Sequence, residues 1–177
     1  MDTDRLPVRE RGTRLIHVLI DTPAGSRNKY KYDSELGVFR VSRVLPAGSV
    51  FPYDFGSIPR TRAADGDPLD VLVLGLAPSF PGCLVTVRLV GVLYVEQVEG
   101  GRRVSNDRLI GVVETPVNRS RLRELRSLHP DELRDIEHFF ESYNRRQRRA
   151  FRITGRGNAR AAATVLGRAM REFTRHG

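Results

Sequence analysis

Three aspartates, Asp65, Asp67 and Asp70, lie within one six-residue segment. Gly66 and Pro68 separate them and disfavour a regular helix, so we expect a tight turn that leads into a strand. Carboxylates that converge repel one another unless a cation neutralises them, and oxygen ligands suit hard divalent cations such as Mg²⁺. The segment therefore predicts a metal site. The competing interpretation is a solvated acidic turn in front of a strand.

Basic residues that suit a phosphate ligand precede this turn. Lys29 and Lys31 are the only lysines of the chain, and Arg43 follows them. A guanidinium can bind two phosphate oxygens at once, whereas an ammonium supplies a compact charge. Each of these side chains alone could be an ordinary solvated surface residue. Their grouping with the acidic turn predicts a site for a phosphate compound.

The composition limits the class of protein. The chain has 177 residues, a net charge of +9 and a pI near 10.7, values that suggest an anionic partner such as nucleic acid, a membrane surface or phosphate. No apolar run is long enough for a membrane span, and the charged N-terminus lacks a signal-peptide core. A single cysteine, Cys83, excludes an internal disulfide and a cysteine-based zinc cluster. We therefore expect a cytoplasmic protein.

The first 115 residues have the pattern of a strand-rich body. Pro-Gly-rich turns are predicted at 46–48, 52–59, 65–68 and 78–82. Gly91 interrupts the longest apolar stretch and is predicted to mark a bulge or a barrel corner. Strands are predicted over residues 15–20, 29–33, 38–44, 71–76, 83–95 and 109–113.

The last third of the chain has helical patterns. A helix is predicted to begin at His129-Pro130, with Leu133, Ile136, Phe140 and Tyr143 on one face. A second helix is predicted over about 158–174. No repeat or linker divides the chain, so we expect a single domain over residues 1–177 with an α+β fold.

Several segments together carry a resemblance to a known family. These are DGDPLDVLVL at 65–74, NKY at 28–30, the arginine at 43, the Pro-x-x-x-Gly turn at 52–56, PGCLVTVRLVGVL at 81–93 and EHFFESY at 137–143. From about residue 18 to residue 151 the chain resembles the soluble inorganic pyrophosphatases of family I. The resemblance implies an OB-like five-stranded β-barrel with two C-terminal helices packed on it. It also implies hydrolysis of diphosphate to two phosphates by a metal-activated water, with Mg²⁺ as the cofactor and Mn²⁺ as an alternative.

The resemblance also assigns roles to individual residues. Asp67 corresponds to the catalytic aspartate that orients or deprotonates the attacking water. The metal-binding positions correspond to Asp65, Asp70, Asp21, Glu96, Asn106 and Asp107, with Glu99 as an alternative to Glu96. The positions that hold diphosphate or phosphate correspond to Lys29, Arg43, Arg108 and Tyr143.

The chain departs from the family pattern at several of these positions. Lys31 stands where an acidic residue is common, and Phe51 and Phe55 stand where two tyrosines are expected. Asn106 stands in place of an aspartate, and Asn144 in place of a lysine. Asparagine offers a neutral oxygen where a carboxylate would bind Mg²⁺ more strongly, so an accessory metal site should be weakened.

Two other functions remain open at this stage. The departures are compatible with a catalytically weak or silent relative that binds phosphate compounds. The basic run at 145–149 and an OB-like barrel would also suit a nucleic-acid-binding module. We do not expect nucleic acid or membrane partners, because exposed aromatics are few and apolar runs are short. By resemblance we expect a homo-oligomer, with the hexamer as the expected form.

Overall fold

The computed structural model describes residues 3–75, 77–99, 101–115, 120–146 and 150–176. Within these residues the chain forms nine strands and two α-helices, together with short 3-10 turns at Thr3–Arg5 and Leu125–Ser127. The helices are α1 (Pro130–Arg146) and α2 (Ala159–His176). The strands are β1 (Ile16–Thr22), β2 (Asn28–Asp33), β3 (Val38–Val44), β4 (Asp54–Ile58), β5 (Leu69–Leu74), β6 (Leu84–Glu99), β7 (Arg102–Ser105), β8 (Arg108–Val113) and β9 (Phe151–Asn158).

Five strands close into a barrel in the order β1-β4-β5-β8-β6, because β6 also pairs with β1. The pairing of β5 with β8 is parallel and the other pairings of the ring are antiparallel. Strands β7 and β9 extend the sheet from β6. The expected OB-like five-stranded barrel with two C-terminal helices is therefore confirmed.

The core consists of two clusters on opposite faces of the same strands. In β5, Val71 and Val73 belong to the cluster that packs against α2, whereas Leu72 and Leu74 belong to the cluster that packs against α1. Alternate side chains of a strand point to opposite faces, so a strand covered on both faces has a continuous apolar sequence. This burial fixes the start of β5, where Asp70 lies.

Strands β2 and β3 form a separate two-stranded hairpin. The hairpin pairs Lys29 with Arg43 and Lys31 with Arg40. It is joined to the barrel where the backbone N–H of Tyr30 donates a hydrogen bond of 3.0 Å to the hydroxyl of Thr22. The hairpin thus carries both lysines alongside the barrel wall.

The prediction of a turn over 52–59 is wrong for residues 54–58, because they form β4 between β1 and β5. Gly56 is required by packing rather than by a turn, since a Cβ there would lie 2.2 Å from the carbonyl oxygen of Leu19. The bulge or barrel corner predicted at Gly91 agrees with a register shift between Leu89 and Gly91 in the pairing of β6 with β8. Strands β7 and β9 are further additions to the predicted set.

Both helices were correctly predicted. Leu133, Ile136 and Phe140 of α1 are buried, and Val165 and Leu166 of α2 are buried on the other side of the barrel. Within the described parts of the chain, no helix is long and apolar enough to cross a membrane. Residues 147–149 of the basic run lie outside the described residues.

Candidate active site

The turn that carries the three aspartates is held by its own backbone. Ala63 N–H donates to the carbonyl oxygen of Asp67 at 2.8 Å, and Gly66 N–H donates to that of Ala63 at 3.0 Å. Gly66 adopts a φ of 88°, a conformation that glycine adopts without strain. The carboxylate of Asp65 accepts a hydrogen bond of 3.2 Å from the backbone N–H of Asp67. The turn leads directly into the first residues of β5.

Asp70 lies in β5 and forms an ion pair with Arg108 at the start of β8. The two residues directly precede Val71 and Leu109, which are aligned in the parallel pairing of these strands. The guanidinium of Arg108 also donates to the side-chain oxygen of Asn106. Both partners of the pair are largely shielded, with 22% of the Asp70 side chain and 10% of the Arg108 side chain exposed.

The negative charge of Asp70 acts on the carboxyl groups of both Asp21 and Asp65. Burial, followed by the negative charge of Asp70, raises the pKa of Asp21 to about 7, although Lys29, Ser57 and Lys31 act in the opposite direction. Burial and the charge of Asp70 also raise the pKa of Asp65 above its usual value. Three carboxyl groups from β1, the turn and β5 therefore share one poorly solvated region.

Asp67 points to the exposed side of the turn and is bound by Lys31. The ammonium Nζ of Lys31 lies 2.9 Å and 2.8 Å from the two carboxylate oxygens of Asp67. More than half of each side chain is exposed, at 59% for Lys31 and 58% for Asp67. The pair is therefore well solvated.

An aromatic wall adjoins the carboxylates. The ammonium of Lys29 lies 5.5 Å from the ring centre of Phe55 and 5.8 Å from that of Tyr143. The guanidinium of Arg108 lies 5.9 Å from the ring centre of Phe55. The hydroxyl of Tyr143 is buried and has no hydrogen-bond partner in the described parts of the chain. Arg43 is partly exposed and is paired with Lys29 across the hairpin.

Two of the carboxylates named from the sequence have other partners. Glu96 is exposed and lies 3.8 Å from Arg103. Asp107 is buried and accepts hydrogen bonds from the backbone N–H of Val95, from Ser105 and from Arg168 of α2. The side chain of Glu99 lies outside the described residues. By contrast, the charges of Asp21, Asp65, Asp67 and Asp70 lie close enough to act on one another.

Residues 18–174 match the Pyrophosphatase family, described as inorganic pyrophosphatase. The chain belongs to this family. It is 41% identical to an inorganic pyrophosphatase of Thermus thermophilus over 138 residues, which cover 78% of this chain and 77% of that relative. It is 38% identical to an inorganic pyrophosphatase of Synechocystis over 155 residues, which cover 88% of this chain and 89% of the relative.

Solved structures show the same relationship. The crystal structure of inorganic pyrophosphatase from Thermus thermophilus superposes with a TM-score of 0.88 at 33% identity, and the match covers 98% of this chain and 99% of that one. An inorganic pyrophosphatase from Helicobacter pylori superposes with a TM-score of 0.86 at 29% identity, covering 96% and 99%.

The positions that depart from the family pattern have structural partners in this chain. Asn144 is buried, and its side-chain amide donates to the carbonyl oxygen of Phe140 at 2.8 Å within α1. Phe51 is buried against Phe55, Phe139 and Tyr143. The two lost hydroxyls are thereby replaced by an apolar wall.

Sequence reasoning missed one residue of this region and one contact. Ser57 forms a side-chain hydrogen bond with Asp21, but it lies on β4, in a segment whose sequence predicts a turn. Lys31 is one of the basic residues that the sequence groups with the acidic turn, but its contact with Asp67 joins residues 36 positions apart and has no local signal.

The aspartates of this site have the oxygen ligands that a divalent cation prefers, but their side chains are not arranged around a common point. Among the described residues, no three histidine, cysteine, aspartate or glutamate side chains converge closely enough to hold a metal. Asp70 is directed to Arg108 and Asp67 to Lys31. The available ligands are nevertheless all carboxylate oxygens, and burial followed by the charge of Asp70 raises the pKa values of Asp21 and Asp65. A cation bound by these carboxylates would offset the negative charge that they share.

Proposed function

We propose that this chain is an inorganic diphosphatase that hydrolyses diphosphate to two phosphates with Mg²⁺ as its cofactor. The observation that carries the proposal is the grouping of Asp21, Asp65 and Asp70 in one shielded region, with Asp67 on the adjoining turn. Membership of the inorganic pyrophosphatase family supports the same reaction.

Asp21, Asp65 and Asp70 are the proposed metal ligands. Burial has already raised the pKa of Asp21 to about 7, so a bound cation would favour loss of its proton near neutral pH. When bound, Mg²⁺ supplies a Lewis acid that lowers the pKa of water and neutralises phosphate charge. We do not assign Glu96 and Asp107 to this group, because neither carboxylate acts on the pKa values of Asp21 and Asp65, whereas that of Asp70 does.

Asp67 is the proposed general base. Its solvated carboxylate is accessible to a water molecule, and its pair with Lys31 is weak enough to open. As the water oxygen bonds to phosphorus, Asp67 accepts the proton of that water and the bridging P–O bond breaks. The second phosphate leaves with the electron pair of that bond.

Lys29, Arg43, Arg108 and Tyr143 are the proposed phosphate-binding residues. Lys29 and Arg43 are neighbours across the hairpin, so both cations can face one phosphate group. The buried hydroxyl of Tyr143 lacks a partner among the described residues and is free to donate to a phosphate oxygen. Positive charge at these positions offsets the charge that develops on the leaving phosphate.

Phosphate release tests the function directly. The purified protein is incubated with diphosphate and, in separate reactions, with Mg²⁺, Mn²⁺, Co²⁺ or Zn²⁺. We expect phosphate release in Mg²⁺ that stops when a chelator is added. Absence of release with every metal would reject the enzyme, and binding of methylenediphosphonate under those conditions would identify a silent phosphate-binding relative.

We also propose that the chain forms a homo-oligomer. The support is the family resemblance together with several exposed apolar side chains on the hairpin, where Leu36 is 65%, Val41 53% and Val44 60% exposed. Light scattering after gel filtration is expected to give a mass that is a multiple of 20.0 kDa. A mass of one chain would reject this proposal. The hexameric form and the cytoplasmic location stay predictions.

A further inference from the structure

The two lysines of this chain both lie on β2, and no other lysine occurs in the sequence. Both ammonium charges act on the carboxyl group of Asp21, where they oppose the effect of burial. Lys29 lies over the rings of Phe55 and Tyr143, whereas Lys31 reaches Asp67. The two ammonium groups of the chain are therefore assembled at the same site.

The contact of Lys31 differs physically from that of Arg108. Arg108 is buried, contacts Asp70 and Asn106 and packs over Phe55, so its position is fixed by several neighbours. Lys31 and Asp67 are both more than half exposed, and such a pair adds little stability because water screens it and long side chains lose entropy. An ammonium also has no preferred donor direction, unlike a guanidinium. The Lys31–Asp67 pair can therefore exchange partners readily.

We propose that Lys31 is a substrate-binding residue that covers Asp67 in the substrate-free enzyme and transfers its ammonium to a phosphate oxygen when diphosphate binds. This inference rests on the proposed diphosphatase function. The transfer leaves the carboxylate of Asp67 free to accept the proton of the attacking water. It also removes a positive charge from the base at the step that requires it.

The proposal implies competition at the aspartates. While Lys31 binds both oxygens of Asp67, its charge disfavours a divalent cation beside the same turn. Removing this ammonium should therefore strengthen the binding of Mg²⁺ alone and weaken the binding of diphosphate. A lysine that only holds the hairpin against the turn would not produce opposite changes in these two affinities.

The test compares Lys31→Gln with Arg40→Gln. Arg40 is a matched control because it lies opposite Lys31 in the hairpin and carries the same charge, but it pairs with Asp33 at 2.9 Å. Calorimetry measures the binding of Mg²⁺ alone, and then of methylenediphosphonate, a non-hydrolysable mimic of diphosphate, in the presence of Mg²⁺. Urea denaturation verifies that both variants are folded.

For Lys31→Gln we expect Mg²⁺ to bind about twofold to fivefold more tightly, as befits the loss of an exposed charge pair. We expect methylenediphosphonate to bind about tenfold more weakly, because a charge-assisted contact to phosphate is lost. Arg40→Gln should leave both affinities within about twofold of the wild type. Unchanged or weaker Mg²⁺ binding in Lys31→Gln, or unchanged binding of the mimic, would overturn the proposal.

Failure of the proposed function has a separate signature. A wild-type protein that releases no phosphate with any metal rejects the diphosphatase. The two binding titrations decide the role of Lys31 without turnover.

Discussion

The guanidinium of Arg108 forms an ion pair with the carboxylate of Asp70 where the parallel strands β5 and β8 begin. Asp70 is the carboxylate that also raises the pKa values of Asp21 and Asp65. Arg108 therefore offsets the charge of Asp70, and its own charge also acts to lower the pKa of Asp65. Its side chain is 10% exposed, so water contributes little to that compensation.

Arg108→Gln is expected to destabilise the metal-free protein by about 2–4 kcal/mol, because it leaves Asp70 shielded and unpaired. Urea denaturation in a chelator measures the change. Arg103→Gln is the control, since Arg103 is 82% exposed and 3.8 Å from Glu96, and its loss should cost under about 0.5 kcal/mol. Equal effects of the two substitutions would contradict the role given to the Arg108–Asp70 pair.

Asp21 makes the stability of the metal-free protein depend on pH. The pKa of its carboxyl group is 3.8 in an unfolded chain and about 7 in the folded protein, so the folded state holds the proton more tightly. Below pH 3.8 the group is protonated in both states and has no effect. As pH rises from 3.8 to 7, the unfolded state ionises first and the folded state loses stability relative to it.

We therefore expect Asp21→Asn to be more stable than the wild type at about pH 8 by about 2–4 kcal/mol. The difference should vanish near about pH 4, where Asp21 is protonated or close to it in both states. Urea denaturation in a chelator at several pH values measures both limits. If the stability difference between Asp21→Asn and the wild type were the same at both pH values, the pKa of Asp21 would not be raised in the folded protein.

Tyr143→Phe separates substrate binding from folding. The hydroxyl is buried without a partner in the described residues, so its removal should leave the free energy of unfolding within about 1 kcal/mol of the wild type or raise it. If the hydroxyl donates to phosphate, KM for diphosphate should rise about tenfold. Steady-state kinetics with urea denaturation measures both quantities. An unchanged KM would remove Tyr143 from the phosphate site.

The helices and the acidic turn were predictable from the sequence because their signals are local. The apolar spacing of Leu133, Ile136 and Phe140 defines the buried face of α1 without reference to the rest of the chain. The aspartates of the turn are neighbours in sequence, so their grouping needed no tertiary information. The family resemblance supplied the barrel, which no local pattern specifies.

What the sequence could not supply depends on contacts between distant segments. Strand β4 contains Gly56, which suggested a turn, whereas the glycine is needed because the backbone of β1 passes beside it. The sequence also contains no signal that the carboxylate of Asp107 pairs with Arg168 of α2 instead of joining the aspartates around Asp70. The contact of Lys31 with Asp67 likewise follows only from the placement of the hairpin.

Gly56→Ala is expected to destabilise the protein by about 3 kcal/mol or more, because a Cβ would meet backbone and side-chain atoms of β1. Gly167→Ala is the matched control. It lies in α2, where the added Cβ would come no closer than 3.6 Å to the flexible end of Arg171. This control should stabilise the helix by about 0.5–1 kcal/mol. Thermal unfolding measures both, and a tolerated Gly56→Ala would contradict the close approach of β1 and β4.

The most direct measurement is phosphate release from diphosphate by Asp67→Asn in saturating Mg²⁺. Asp131→Asn is the control, because Asp131 is 60% exposed and has its own ion pair with Arg134, much as the 58% exposed Asp67 pairs with Lys31. We expect kcat of Asp67→Asn to fall about 10²-fold to 10⁴-fold, as for the loss of a general base, and kcat of Asp131→Asn to stay within about twofold of the wild type. Turnover by Asp67→Asn at the wild-type rate would contradict the catalytic role of the turn.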